Sequence, residues 1–254
     1  MLIALAIGLL LSIGILSTYL ANRNVYRANT DLQRIQAAGQ LALDRLAYQI
    51  RMAGYGKLLS DFANVAVPSA FIGEALRVCA GGFANPNDPS DTPACAAAAT
   101  GADALQVRYQ VEDAPVAGSG NWRDCLGFEV PPDTNGLRIA RNRFFVADSN
   151  GVPTLMCSGN TAGPQPLIPN VEDLRIRLRI GDPFTRAERV VEPVGFQDWG
   201  RVLAVELCVQ VRSEEAGLTA GPQDGQTCRG TAFPNDGRLR RTFTQVVTLR
   251  NRTL

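Results

Sequence analysis

The chain has 254 residues, 46% of them hydrophobic, and 25 basic side chains against 24 acidic ones leave a formal charge of +1. That length can bury a real core in one globular domain, and near-neutrality removes any global pull toward nucleic acid or acidic lipid. Histidine is absent, which excludes Ser-His-Asp and Cys-His catalysis and every Cys/His zinc site.

The chain opens on MLIALAIGLLLSIGILSTYLAN, with no charged side chain before Arg23. About 20 apolar residues in a helix span roughly 30 Å, the thickness of a bilayer's hydrocarbon core. A cleaved secretion signal would need a basic start, a shorter apolar centre and a small-x-small cleavage site. Nothing basic precedes Leu2 and the apolar run is too long, so an anchor, permanent or one that leaves the membrane to pack elsewhere, is the better reading for residues 1–22. Arg23 and Arg27 follow the run, and on their own they would hold the rest of the chain in the cytoplasm.

From residue 23 to residue 54 the pattern becomes one-sided. Leu32, Ile35, Gly39, Ala42, Leu46, Ile50 and Ala53 recur at helical spacing, with Arg34, Gln40, Asp44 and Arg51 largely on other faces. Gly54 and Gly56 are stop signals. The two stretches therefore read as one unbroken helix over about Leu2–Ala53, apolar all round in its first half and amphipathic in its second.

Residues 55–254 have β texture. Leu105, Val107, Tyr109 and Val111 alternate along one strand face. RNRFFVADSNGVPTLMC reads as a hairpin turning at Asp148-Ser149-Asn150-Gly151. In VEDLRIRLRIGD, Leu174, Ile176, Leu178 and Ile180 face in while Arg175, Arg177 and Arg179 face out. VLAVELCVQVR alternates through Leu203, Val205, Leu207, Val209 and Val211, and RRTFTQVVTLRNR is the last strand. Gly/Pro/Asp-rich loops separate these strands. One long helix followed by an antiparallel sheet predicts an α+β fold, with the sheet wrapped on the helix's amphipathic half.

Six cysteines, Cys79, Cys95, Cys125, Cys157, Cys208 and Cys228, all follow the apolar run, and none sits in a CxxC pair. Spread and even in number, they read as disulfides of an oxidising compartment, with the pairing open. An oxidised domain has crossed the membrane despite Arg23 and Arg27.

MLIALAIGLLLSIGIL followed by ALDRLAYQIRMAGYG resembles the start of the PilW-like minor pilins of type IV pili. GADALQVRY, FFVADSNGVPTLMC, VEDLRIRLRI and RRTFTQVVTLRNR are similar to that family as well. The resemblance implies a pilin-like fold and a basic leader with a processing site upstream of Met1, which would set the outward topology. It also implies that a late cysteine pair, Cys208 with Cys228, brackets a loop. Cys125 with Cys157 would clamp the hairpin, and Cys79 with Cys95 would close the Pro/Asp-rich loop. Gly8, Ser12 and Gly14 would pack against other pilins, since small residues let helices approach closely.

The resemblance further implies a subunit held in the inner membrane of a Gram-negative bacterium, its β domain in the periplasm, that later joins a surface pilus. There it would meet other minor pilins and the major pilin, priming assembly at the tip. The alternatives are a secretion pseudopilin, an adhesion module or a DNA-contacting subunit. For the last, Arg175, Arg177, Arg179, Arg240 and Arg241, with Arg238, Arg250 and Arg252 nearby, would supply phosphate contacts, although an outward arginine face is more often solvated or paired. Asp88 and Asp91 lack the spacing of a calcium loop and read as turn formers. Glu214 and Glu215 read as solvated. No enzymatic activity, metal or cofactor is expected.

Overall fold

The computed structural model describes residues 2–56, 59–60, 66–67, 71, 73–111, 123–134, 136–182, 187–219 and 221–251. Helix α1 runs without a break over Leu2–Met52, 51 residues, or about 77 Å at the α-helical rise. It ends at Gly54, whose φ of +75° suits glycine and whose N–H donates to the Arg108 carbonyl at 2.9 Å. A side chain there would press on the Asn251 carbonyl, and Asn251 Nδ2 also donates to the carbonyl of Arg51 at 3.0 Å. The end of the described chain thus caps the end of the helix.

The halves of α1 differ in burial as their sequence patterns predict. Ile35, Ala42, Leu46, Ala47, Ile50 and Ala53 are sealed in the core. Every described side chain before Ala28 is exposed, including Ile3, Leu9, Leu11, Ile15 and Tyr26. Among the described residues no helix is long and apolar enough to cross a membrane, so the membrane half expected from the sequence is not shown. Leu2, Ala4, Leu5, Ala6, Leu10, Leu20 and Ala21, which carry part of that run's apolar length, lie outside the described side chains.

The strands follow in chain order. β1 (Leu59–Ser60) and β2 (Ala66–Val67) form a two-residue ladder. β3 (Leu76–Cys79), β4 (Ala104–Gln110), β5 (Ile139–Ser149), β6 (Val152–Ser158) and β7 (Gln165–Pro169) form an antiparallel meander in that order. β8 (Val171–Gly181), β9 (Glu188–Val191), β10 (Val202–Arg212) and β11 (Arg240–Thr248) form a second antiparallel sheet in the order β11-β10-β8-β9. A 3-10 turn over Trp199–Arg201 leads into β10.

Local chemistry sets these elements. The β5–β6 hairpin turns on Asn150 (φ 55°) and Gly151 (φ 82°), with Ser149 opposite Val152, so Asp148 and Ser149 belong to the strand. Asn-Gly supplies the two positive φ values that a tight hairpin turn needs. In β8 the alternation holds: Leu174, Ile176, Leu178 and Ile180 are buried.

In β10 it fails at one end. A register shift between Val202 and Ala204 puts Val202 in the core and leaves Leu203 half-buried. In β4 both faces are buried, because the loop after β3 covers the polar face: Gln106 Nε2 donates to the Asp91 carbonyl at 2.6 Å.

The buried stripe of α1 and the inward faces of both sheets share one core. α1 crosses β11 at Gly39, where the Phe243 ring occupies the space a Cβ would need. Asp103, fully buried, joins the sheets. Its N–H donates to the Leu174 carbonyl at 2.7 Å, and its carboxylate accepts from Ile176 N–H at 2.8 Å and Arg175 Nη1 at 3.0 Å. Burial pushes this carboxyl's pKa up, against the pull of those donors.

Candidate functional site

The described side chains in the first half of α1 stand exposed. Three of its hydroxyls are satisfied within the helix. Ser12 Oγ donates to the Gly8 carbonyl at 2.8 Å, and Ser17 Oγ and Thr18 Oγ1 both donate to the Gly14 carbonyl at 2.9 Å. Such back-bonding lets hydroxyls sit in apolar surroundings without an orphaned donor. At Gly8 and Gly14 nothing lies within 4 Å of where a Cβ would stand, so both positions are open to a neighbour.

Asp31, 6% exposed, is the first buried residue among the described side chains of α1. Arg34 Nη1 lies 3.6 Å from Asp31 Oδ1 and 3.6 Å from Glu214 Oε2, bridging the helix to the segment after β10. A cavity of about 170 Å³ lies here, between α1, the β7–β8 turn and that segment. Sequence reading missed this junction. Its signal was an acid inside an otherwise apolar helical stripe.

All six described cysteines are paired: Cys79–Cys95, Cys125–Cys157 and Cys208–Cys228, with Cα separations of 5.1, 6.5 and 5.7 Å. The first ties the end of β3 to the loop that covers β4. The second ties the segment before β5 to β6, and there Asn142 Oδ1 accepts from Cys125 N–H at 2.9 Å. Asn142 Nδ2 in turn donates to Gln49 Oε1 of α1 at 2.8 Å and to Tyr109 Oη at 3.1 Å. Burial raises the Tyr109 hydroxyl to about 12. The third disulfide folds the loop over residues 213–239 against the outer face of β10. Beside it a groove of about 1020 Å³ opens over β8, β10 and β11.

The expected basic surface is a charge-balanced one. Arg175 also reaches Glu192 Oε2 at 3.4 Å, while Arg177 and Arg179 share the carboxylate of Glu206 at 2.7 Å each. Arg240 is not a surface residue at all: it is 5% exposed. Its guanidinium takes Glu172 at 2.7 and 2.9 Å and also binds both oxygens of Asp236.

Bidentate pairing of this kind is strong and directional. It holds Asp236 far below the usual carboxylate range and lifts Arg240 above its own. Arg238 Nη1 donates to the Ser213 carbonyl at 3.0 Å, Arg241 and Arg250 are exposed, and Arg252 lies outside the described residues. Arg175, Arg177, Arg179 and Arg240 are thus each paired with a carboxylate in place, which leaves these four without an unpaired charge for a phosphate backbone.

Asp88 and Asp91 are turn and ion-pair residues. Ser90 N–H and Oγ each donate to Asp88 at 2.9 Å, which lowers its pKa. Asp91 pairs with Arg108 at 2.6 Å and Arg141 at 3.3 Å. The buried Arg143 fills the centre of this loop. It donates from Nε to Gln106 at 2.7 Å, from Nη2 to the Ser90 carbonyl at 2.5 Å, and from Nη1 to the Asp88 carbonyl. The guanidinium itself occupies these carbonyls, and burial brings its pKa down to about 10. Glu214 and Glu215 are exposed.

A chain of paired charges, braced loops and one long half-bare helix matches known sequences over its second half. Residues 143–251, from β5 to just past β11, match the family model PilW, type IV pilus-assembly protein W. This stretch is PilW-like. It contains the whole β8–β11 sheet and the Cys208–Cys228 loop, and it leaves α1 outside. Curated protein sequences give no match. Among solved structures, a type IV-like pilin from Thermus thermophilus aligns over 87% of this chain and 99% of its own, at 18% identity and a TM-score of 0.43.

Proposed function

We propose that this chain is a minor pilin, a non-catalytic subunit of a type IV pilus that acts with other minor pilins to prime assembly, at the tip. Its α1 is inserted in the inner membrane before assembly and packs among neighbouring helices afterwards, while residues 55–254 stand in the periplasm and then at the cell surface. The observation that carries the reading is the unbroken passage of α1 from an exposed apolar half to a half sealed in a domain. The PilW-like stretch supports it from the other end of the chain. Exposed apolar area on this scale costs roughly 25 cal/mol per Å² in water, so the bare half needs an apolar medium, and lipid and neighbouring helices both provide one. The three disulfides suit an oxidising compartment.

Deleting the gene and shearing surface filaments tests the proposal. The expected outcome is loss of most pili in the deletion strain and recovery of this chain in the sheared fraction from the parent. Normal piliation without the chain, together with its confinement to the membrane fraction, would show a permanently anchored domain instead.

A further inference from the structure

The two sheets end in four edges, and three of them are blunted. β3 and β9 are four residues long, and β9 begins with Glu188 and Arg189. β7 carries Pro166 and Pro169 in five residues. Short strands, charges and prolines are the devices by which sheets avoid pairing with other chains. β11 has none of them over TFTQVVT: nine residues long in all, it carries no charge, proline or register shift after Arg241.

The direction of its backbone groups follows from two hydrogen bonds. Arg240 N–H donates away from β10, to Gln223 Oε1 at 2.9 Å, whereas Leu249 N–H donates toward β10, to the Leu203 carbonyl at 2.9 Å. Backbone groups alternate sides along a strand, so Thr242, Thr244 and Val246 turn both N–H and C=O to the free side. Among the described residues no backbone bond from outside the β10 ladder reaches these three. Their side chains lie on the face away from α1, with Thr244 and Val246 exposed, Val246 at 50%.

We propose that the free edge of β11 pairs with β11 of a second copy, antiparallel about a two-fold axis at Thr244. In that register Thr244 faces Thr244 and Thr242 faces Val246, each pair exchanging both N–H···O=C bonds. Thr244 opposite Thr244 can hydrogen-bond across the strands, and β-branched Thr242 and Val246 suit a pleated contact. Within the ladder Arg241 falls opposite Val247 and Arg240 opposite Thr248 of the other copy, so no like charges stand opposite one another there. One patch meets itself, as a closed two-fold contact requires. The pairing does not rest on the pilus reading, and either can fail alone.

The test is sedimentation velocity of the full chain in detergent over a range of protein concentration. The wild type is expected to form dimers. Thr244→Pro removes an edge donor without touching the β10 ladder, and Val246→Lys adds the charge that other edges carry. Each is expected to weaken dimerisation by about tenfold or more. Should Thr244→Pro lower the melting temperature, Val246→Lys at its exposed position carries the test. A monomeric wild type overturns the proposal. So does a dimer that neither variant weakens, since that would place the contact on the apolar half of α1. A photo-crosslinker at Thr244 should give a product of twice the chain's mass in cells; capture of a different subunit in its place would also overturn it.

Discussion

The two halves of α1 share one backbone and have opposite energetics. In the second half, side chains at helical spacing are sealed against both sheets, and they stabilise the fold. In the first half, side chains of the same chemistry stand exposed and contribute nothing to the domain. Hydrophobicity alone therefore does not tell which half holds the molecule together. What tells is the polar residue on the opposite face: Arg34, Asp44 and Arg51 mark the side that stays in water, and before Arg23 there is no such side.

Substitutions on either side of that divide should separate stability from assembly. Leu46→Ala, in a fully buried position, should cost about 3–4 kcal/mol in chemical denaturation. A cost under about 1 kcal/mol there would mean the helix is not part of the core. Replacing Cys208 and Cys228 together by serine, opening a separation of 20 residues, should cost about 3 kcal/mol, read in the same way and abolished as a difference when both proteins are reduced.

Arg240→Ala should cost about 2 kcal/mol, since it leaves the half-buried Glu172 without its main partner while Asp236 is partly exposed and screened. Glu172 and Asp236 both have lowered folded-state pKa values. Their contribution is therefore complete above their unfolded values and is lost as pH falls below them. The stability gap between wild type and Arg240→Ala should accordingly narrow in acid.

The smallest effect on folding belongs to Ile13→Ala, 56% exposed in the bare half, at under about 0.5 kcal/mol. Recovery in sheared filaments should nevertheless fall, and that divergence is the sharpest form of the comparison.

Much of this was legible in the sequence where the chemistry is local. The helix and its stop at Gly54, the Asn-Gly turn and the alternation of β8 follow from residues within a few positions of one another. What sequence could not show depends on distant partners. Arg240 reads as surface because its neighbours are polar, yet it is buried by Glu172, 68 positions away. The polar face of β4 reads as solvated, yet a loop held by Arg143 covers it. Leu203 falls out of its pattern because a bulge against β8 shifts the register, and register belongs to the pair of strands. The free side of β11 was not legible in RRTFTQVVTLRNR, which reads only as a last strand with arginines at its ends. Its exposure required the order of the sheet.

The hydroxyls of Ser12, Ser17 and Thr18 bear on how such a helix changes surroundings. Each is bonded to a carbonyl of its own helix, so under the proposed role these three hydroxyls break no hydrogen bond and make none when the helix passes from one oily medium to another. Under the proposed role, a segment built this way is held firmly out of water and only loosely in either of its two destinations, so that partner shape, rather than any polar lock, decides where it rests.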